Sequence, residues 1–170
     1  MAMHRRQPLP RLWLMTDERL GDRLLPAIER LPRGAGIVFR HYGLPSAKRR
    51  ALWEQVRGAA RGRGLTLIVA GQVLPGADGS HNRLGAGLRT WSAHNLREIR
   101  AAERARADLI FLSPVFPTRS HPGAPALNPG RFASLAHQTR VPVIALGGMN
   151  AQKARRLGGA YGWAGIDAWA

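Results

Sequence analysis

Two stretches of the sequence end in residues suited to holding a ligand. Residues 108–121 and 141–148 each begin as a short apolar run of strand type and then break into proline, glycine and hydroxyl side chains. Ligands gather at the carboxyl ends of the strands in parallel α/β proteins. The second stretch ends in Gly147 and Gly148, and glycine lets a phosphate approach backbone N–H groups closely. Together the two stretches predict an anion-binding site.

A charged side chain and a titratable one fall near the ends of two other strand-type runs. Arg40 lies in residues 36–41, where a guanidinium can grip a phosphate through two parallel hydrogen bonds. Ser92 and His94 are two residues apart, so they share one face of their strand. A histidine side chain titrates near neutrality and therefore suits proton transfer. A salt-bridged arginine at a barrel rim and a hydrogen-bonded structural histidine are the alternative interpretations.

Strand-type and helix-type patterns alternate along the chain. The strand-type runs, of which the fourth is the least regular, cover residues 11–16, 36–41, 65–70, 78–81, 88–94, 109–115, 141–146 and 164–169. Helical spacing of apolar residues covers residues 22–31, 45–61, 95–104 and 129–138, with a further helix entered at Asn150. Strands that alternate with helices predict a parallel sheet of the α/β class.

Eight strands suggest a compact (β/α)8 barrel. The chain has 170 residues, which is short for a fold that usually needs at least about 200. We expect the shortfall in the helices after strands three, four and eight, which the sequence leaves reduced or missing. An open doubly wound sheet is the alternative architecture.

The composition predicts one domain over residues 1–170, with a basic segment at residues 1–10 that is expected to be flexible. Apolar residues make up 45% of the chain, which is enough for a core. No run approaches the roughly 18 apolar residues of a membrane span, and no signal-peptide pattern follows the basic start. The sequence has no cysteine, which excludes disulfides, thiolate metal sites and cysteine nucleophiles. We therefore expect a cytoplasmic protein with no membrane partner.

The net charge of +16 has two interpretations, and nearly all of it comes from arginine. It could attract nucleic acid or anionic substrates. It could also be a compositional bias, which we favour because the arginines are scattered over most of the chain. Nucleic acid is therefore a partner that the sequence allows but does not favour.

Five motifs in the same order and approximate spacing resemble those of the thiamine phosphate synthase family and its TenI-type thiazole tautomerase relatives. They are Leu-Met-Thr-Asp at residues 14–17, Ala-Asp-Gly-Ser-His at 77–81, Trp-Ser-Ala-His-Asn at 91–95, Ser-Pro-Val-Phe-Pro-Thr at 113–118 and Val-Pro-Val-Ile-Ala-Leu-Gly-Gly-Met at 141–149. The resemblance covers roughly residues 11–169 and implies a triosephosphate-isomerase-type barrel. It also implies a role in thiamine biosynthesis, where the synthase joins a thiazole phosphate to a pyrimidine pyrophosphate and releases pyrophosphate with magnesium.

The resemblance assigns roles to two of the side chains. Arg40 corresponds to the arginine of the family's Gln-x-Arg-x-Lys motif, whose outer positions are Val38 and Tyr42 in this chain. His94 is similar to the histidine with which the tautomerases move a proton around the thiazole ring. Ser92 precedes it on the same strand face and joins the predicted site.

Three further segments carry the implied phosphate contacts. Thr118 and Ser120 match hydroxyl positions of the family's Thr-x-Thr-Lys loop, and His121 replaces the lysine; a plain proline-rich loop is the alternative. Gly147 and Gly148 match its phosphate-binding turn. After strand eight, the family's Ile-Ser reads Ile166-Asp167, where an aspartate would repel a phosphate.

The magnesium ligands of the synthases are not found in this sequence. Their Asn-Asp pair after strand three aligns with Ala70-Gly71, and the loop after strand four, residues 82–87, has no carboxylate. Magnesium requires oxygen ligands. Either arginines substitute for the metal or the chain does not run the synthase reaction.

Three functions follow from these observations. The first is coupling of a thiazole phosphate to a hydroxymethylpyrimidine pyrophosphate. The second is metal-free thiazole tautomerisation through His94, and the third is a non-catalytic remnant that binds a phosphorylated ligand or nucleic acid. Small phosphorylated heterocycles are the expected partners, and assembly as a homodimer is left open.

Overall fold

The computed structural model describes residues 8–119, 122–123 and 125–170. The predicted site residues Ser120 and His121, and most of the basic segment at residues 1–10, lie outside the described residues.

Eight parallel strands close into a barrel in their sequence order, with β8 pairing back to β1. Their bounds are β1 Leu12–Met15, β2 Gly36–Phe39, β3 Thr66–Ala70, β4 Gly79–His81, β5 Leu88–Ala93, β6 Leu109–Leu112, β7 Val143–Ala145 and β8 Gly162–Gly165. The prediction of a compact (β/α)8 barrel is confirmed, and the open doubly wound sheet is excluded.

Five α-helices connect some of the strands. They are α1 Leu24–Arg30, preceded by a 3-10 helix at Glu18–Arg23, α2 Ser46–Arg63, α3 Leu96–Arg104, α4 Asn128–Ala136 and α5 Ala151–Ala154. Among the described residues no helix follows β3, β4 or β8, as the chain length predicts. In the same part of the chain, no helix combines the length and the apolar character needed to cross a bilayer.

The helices begin and end where local chemistry favours it. Asn95 caps α3, since its side chain accepts a hydrogen bond from the Glu98 N–H, and Asn150 caps α5 in the same way. Gly64 ends α2 in the left-handed conformation that glycine adopts without strain. The Asn95 and Asn150 caps fix the turns between β5 and α3 and between β7 and α5, which carry His94 and the Gly147-Gly148 pair.

Alternate side chains of the strands fill the barrel interior. This inner cluster consists of Trp13, Met15, Val38, Ile68, Ala70, Leu109, Phe111, Ile144 and Ala164. Trp13 and Phe111 pack edge to face with ring centroids 5.3 Å apart. The intervening residues of the strands face outward and pack against the helices in two further clusters.

The last strand begins and ends earlier than the sequence predicts. Residues 164–169 were the predicted strand, but β8 covers Gly162–Gly165. Its register is set by its neighbours, because Trp163 pairs with both Leu12 of β1 and Ala145 of β7. Trp169 turns back instead and stacks on Trp163, with ring centroids 4.9 Å apart. Ile166 and Asp167 therefore lie in the loop after β8, at the barrel mouth.

Candidate functional site

A cleft of about 220 Å³ opens at the carboxyl ends of the strands, and we call it the mouth cleft. Its lining is Met15, Arg40, His94, Ser113, Pro114, Thr118, Leu146, Gly147, Gly148, Met149, Gly165, Ile166, Asp167 and Ala168. Six of the predicted site residues lie in this one lining, contributed by the ends of β2, β5, β6, β7 and β8. Asp167 also lies there, so the mouth cleft contains a carboxylate beside its cationic and glycine-rich parts.

The turn after β7 can exist only with glycine at both positions. Gly147 has φ of 98°, and a Cβ there would lie 2.6 Å from the Pro114 Cα. Gly148 has φ of 61°, and its Cβ would lie 2.9 Å from the Pro117 carbonyl oxygen. Neither glycine N–H donates a hydrogen bond to another described residue. A turn of this kind presents N–H groups to an anion at the floor of the cleft.

Arg40 is held in place at the opposite wall of the cleft. Its Nε donates to the Thr16 carbonyl oxygen over 2.7 Å, and one terminal nitrogen lies 3.1 Å from the Asp17 carboxylate. Its other terminal nitrogen makes no hydrogen bond within the described part of the chain. Arg40 therefore forms a salt bridge at the barrel rim and also lines the mouth cleft.

The charges of Arg40 and Asp17 balance each other at the rim. Burial lowers the pKa of Arg40, and the Asp17 carboxylate opposes that effect. Burial by itself would raise the pKa of Asp17, but hydrogen bonds from Arg19 and the charges of Arg19 and Arg40 outweigh it and lower that pKa. Both groups are thus ionised at neutral pH, and the guanidinium keeps a donor available for a ligand.

His94 is oriented by a carboxylate one helical turn away. Glu98 Oε2 accepts a hydrogen bond from the His94 backbone N–H and lies 2.7 Å from the ring Nδ1. Because a carboxylate only accepts hydrogen bonds, Nδ1 carries the proton in this contact. Burial raises the pKa of Glu98, but the hydrogen bonds from His94 and Asn95 outweigh it and lower that pKa. With the proton on Nδ1, an uncharged ring has an unprotonated Nε2, which can act as a base.

Ser92 lies one layer below His94 and outside the lining of the mouth cleft. Its hydroxyl lies 2.9 Å from His81 Nε2 and accepts a hydrogen bond from the Asn82 amide over 3.1 Å. On the other side of the ring, His81 Nδ1 lies 2.9 Å from the Thr90 hydroxyl. A ligand role for Ser92 remains a prediction, and its observed partner is a buried histidine.

His81 is a buried residue whose function the sequence did not single out. Burial, with a smaller effect from the charge of Arg40, lowers the pKa of His81 to about 4. Its ring also packs edge to face on Phe111 inside the barrel, with centroids 5.5 Å apart. The signal was present in the Ala-Asp-Gly-Ser-His motif, but short strands do not reveal which of their residues point inward.

Thr118 and Ile166 are both part of the lining of the mouth cleft. Thr118 is half-buried in the loop after β6, and Ile166 packs against the inner cluster of the barrel. Both positions are compatible with ligand contact, which remains a prediction for each.

A second, more open hollow lies at the ends of β3 and β4, and we call it the arginine hollow. It is lined by Tyr42, Gly71, His81, Asn82, Arg83 and Leu84. A nitrogen of the Arg83 guanidinium donates to the Gly71 carbonyl oxygen over 2.9 Å. This hollow lies at the carboxyl ends of β3 and β4, where the resemblance locates the magnesium ligands.

The residues at this position do not fit a magnesium ion. Ala70 is buried in the inner cluster and offers no side-chain oxygen. Gly71 has φ of 74°, and a Cβ there would lie 3.2 Å from the ring of Tyr42. The described residues contain no group of three or more His, Asp or Glu side chains that could hold a metal ion. Magnesium takes hard oxygen ligands, and the side chain present here is a guanidinium.

The sequence and the fold both match proteins of one family. The sequence model of the thiamine monophosphate synthase family matches residues 82–169. The "Putative thiamine-phosphate synthase 2" of Aquifex aeolicus is 31% identical over 180 residues, which cover 94% of this chain and 97% of that protein. The chain belongs to the thiamine monophosphate synthase family.

Other members agree with this assignment over shorter lengths or by structure. A thiamine-phosphate synthase of Geobacillus thermodenitrificans is 34% identical over 140 residues, which cover 70% of this chain and 63% of that relative. The solved structure of the thiamine phosphate pyrophosphorylase from Pyrococcus furiosus superimposes with a TM-score of 0.78 at 25% identity. That match covers 94% of this chain and 86% of the other. The family's barrel is thus preserved in a shorter chain.

Proposed function

We propose that this chain couples a thiazole phosphate to a hydroxymethylpyrimidine diphosphate to form thiamine phosphate. The bond between the pyrimidine methylene carbon and the diphosphate oxygen breaks, and the diphosphate leaves with the bonding electrons. The thiazole nitrogen then donates its electron pair to that carbon, which forms the new carbon–nitrogen bond. Membership of a transferase family supports this reaction class.

The Gly147-Gly148 turn carries this proposal. Its two N–H groups have no partner among the described residues, and they lie in the same cleft as Arg40 and Thr118. A thiazole phosphate bound there would place its ring between the β6 and β8 loops. Arg40 would face the second substrate from the β2 side, with Asp17 and Thr16 holding its guanidinium in position.

The direct test is mass spectrometry of the product from the two substrates, with magnesium and with a chelator. We expect a product with the mass of thiamine phosphate, and an Arg40→Gln variant should form it at least about tenfold more slowly. Arg33→Gln is the matched control, because Arg33 is exposed in the turn before β2, at the other end of the barrel. Absence of the product under both conditions would exclude the synthase reaction.

A second candidate function is tautomerisation of the thiazole ring by His94. The observation that favours it is the Glu98 carboxylate on Nδ1, which leaves Nε2 free to take a proton and return it at another ring position. NMR of the thiazole phosphate would follow the exchange of tautomers. His94→Ala should slow that exchange by about 100-fold or more, and an unchanged rate would exclude this function.

A further inference from the structure

The arginine hollow has the features of an anion site that works without a metal ion. Three sets of contacts support this inference: those around Gly71, those that hold the loop of Arg83, and those that distinguish Arg83 from the structural Arg49. The inference rests on the proposed coupling reaction, since it concerns the diphosphate of the second substrate.

A guanidinium and an aromatic ring occupy the surroundings of Gly71. Arg83 donates to its carbonyl oxygen over 2.9 Å, and a Cβ at this glycine would lie 3.2 Å from the ring of Tyr42. With φ of 74°, the backbone at this position suits glycine and strains most other residues. The Arg83 guanidinium therefore supplies positive charge next to Gly71.

The loop that carries Arg83 is fixed by hydrogen bonds from the strands on either side. Ser80 Oγ donates to the Arg83 carbonyl oxygen over 3.1 Å. The Asn82 N–H donates to the Thr90 carbonyl oxygen over 2.9 Å, and Asn82 Oδ1 accepts from the Ser92 N–H over 2.7 Å. Because the backbone is already ordered, binding an anion would cost mainly the ordering of one side chain.

Arg83 differs from its buried neighbour Arg49 in what its donors do. Arg49 donates to the carbonyl oxygens of Arg40, Ala70 and Gln72, so its guanidinium ties the ends of β2 and β3 together. Arg83 makes the single hydrogen bond to Gly71 among the described residues, and its remaining donors are available. Arg49 is therefore structural, whereas Arg83 has donors available to bind an anion.

The arginine hollow is positively charged. The lining of the arginine hollow contains no carboxylate. The charge of Arg40 also reaches His81 in that lining, where it adds to burial in lowering the pKa of the histidine. His81 is therefore a neutral part of the lining, Arg83 lines the arginine hollow, and Arg40 lines the mouth cleft and lies near enough to His81 for its charge to act there.

We infer that Arg83, together with Arg40, binds the diphosphate group of the pyrimidine substrate directly, in place of a divalent cation. Guanidinium groups pair with phosphate oxygens through parallel charge-assisted hydrogen bonds. A guanidinium is part of the chain, whereas a metal must be recruited from solution.

Isothermal titration calorimetry with inorganic pyrophosphate tests this inference. The titration is made in a chelator and again in magnesium, for the unmodified chain, Arg83→Gln and Arg33→Gln. We expect binding in the chelator, weakened about 10- to 100-fold by Arg83→Gln. Arg33→Gln removes the same charge at the opposite end of the barrel and should leave the affinity within about twofold.

Three results would overturn the inference. They are binding that requires magnesium, binding that Arg83→Gln leaves unchanged, and no binding under either condition. The coupling assay separates this inference from the proposed function. Pyrophosphate bound in the chelator without any coupled product retains the metal-free anion site at Arg83 and excludes the synthase reaction. Product formed only with magnesium, and no binding in the chelator, retains the reaction and excludes the inference.

Discussion

The two sides of the barrel mouth keep different amounts of the family's pattern. On the side formed by β6 to β8, the Gly147-Gly148 turn packs against the backbone of the loop after β6, at Pro114 and Pro117. On the side formed by β2 to β4, the carboxylates expected for magnesium are absent and Arg83 bonds to Gly71. The family model matches residues 82–169, which hold all of the first side and only the edge of the second.

The two sides differ in whether backbone packing or side chains determine their geometry. The β7 turn depends on backbone packing, since any side chain at Gly147 would collide with the main chain at Pro114 and Val115. In the arginine hollow, the departure from the family's pattern lies in side chains, since Arg83 and Tyr42 surround Gly71, although the φ of 74° at that position still favours glycine. Under the proposed function, the half of the site that holds the thiazole phosphate would depend on backbone packing, and the half that holds the diphosphate would depend on the charges of side chains.

The largest effect that would test this comparison is expected from Gly147→Ala. The substitution combines an unfavourable φ of 98° with a Cβ 2.6 Å from the Pro114 Cα, so the free energy of unfolding should fall by about 3 kcal/mol or more. Binding of thiazole phosphate should be lost as the turn deforms. Urea unfolding and calorimetry measure the two effects.

Gly58→Ala is the matched control for that variant. Gly58 is exposed within α2, and a Cβ there has nothing within 4 Å. Alanine in a helix should raise the free energy of unfolding by about 0.5–1 kcal/mol. If Gly147→Ala were as stable as this control and still bound the ligand, the steric account of the β7 turn would be wrong.

The next largest effect concerns His81, which lines the arginine hollow. Its pKa is lowered to about 4, because burial disfavours the charged ring and Arg40 adds repulsion. Between pH 6.5 and pH 4 the unfolded chain takes up a proton that the folded chain does not, so stability falls with acidification by up to about 3 kcal/mol. Burial also lowers the pKa of His41, which contributes in the same direction.

His81→Gln should flatten this part of the pH dependence and leave the contribution of His41. Urea unfolding at several pH values between 7 and 4 measures the slope for both proteins. The amide of glutamine can still reach the Thr90 or Ser92 hydroxyl, so the variant is expected to fold. An identical slope in the variant would mean that His81 is accessible to protons in the folded chain.

The fold could be predicted from the sequence because the alternation of strands and helices is local information. Arg40 and His94 could be placed near the mouth for the same reason, since each follows an apolar run. The position of the last strand could not, because its register depends on β1 and β7, both distant in sequence.

The contacts in the arginine hollow could not be predicted either. The Tyr42 ring lies close to Gly71, and Arg83 donates to the Gly71 carbonyl oxygen. These contacts join loops that follow three different strands. Spacing along the chain carries no information on such contacts. Ser92 illustrates the same limit, because its strand face was predictable and its partner, His81, was not.

A smaller effect is expected from restoring the missing carboxylate with Gly71→Asp. The φ of 74° at this position should lower the free energy of unfolding by about 1 kcal/mol. Gly34→Asp is the matched control, since Gly34 has φ of 78° and nothing within 4 Å of its Cβ. Magnesium should raise the melting temperature of neither variant, because a single carboxylate beside Arg83 is a poor magnesium site. A magnesium-dependent rise in melting temperature confined to Gly71→Asp would show that the arginine hollow can bind magnesium once a carboxylate is present.

The smallest effect is expected from Glu98→Gln, on the border between the two sides. Glutamine keeps an oxygen for the His94 backbone N–H, and the Asn95 cap of α3 uses the backbone N–H of residue 98, so the free energy of unfolding should fall by only about 0.5–1 kcal/mol. The ring loses its ionised partner, however, and the proton is no longer confined to Nδ1. Nitrogen-15 NMR of the histidine should report the change in tautomer, and Glu29→Gln on the exposed face of α1 should leave it unaltered. An unchanged His94 spectrum in Glu98→Gln would mean that the carboxylate serves the helix cap alone, and the proton-transfer interpretation of His94 would lose its structural basis.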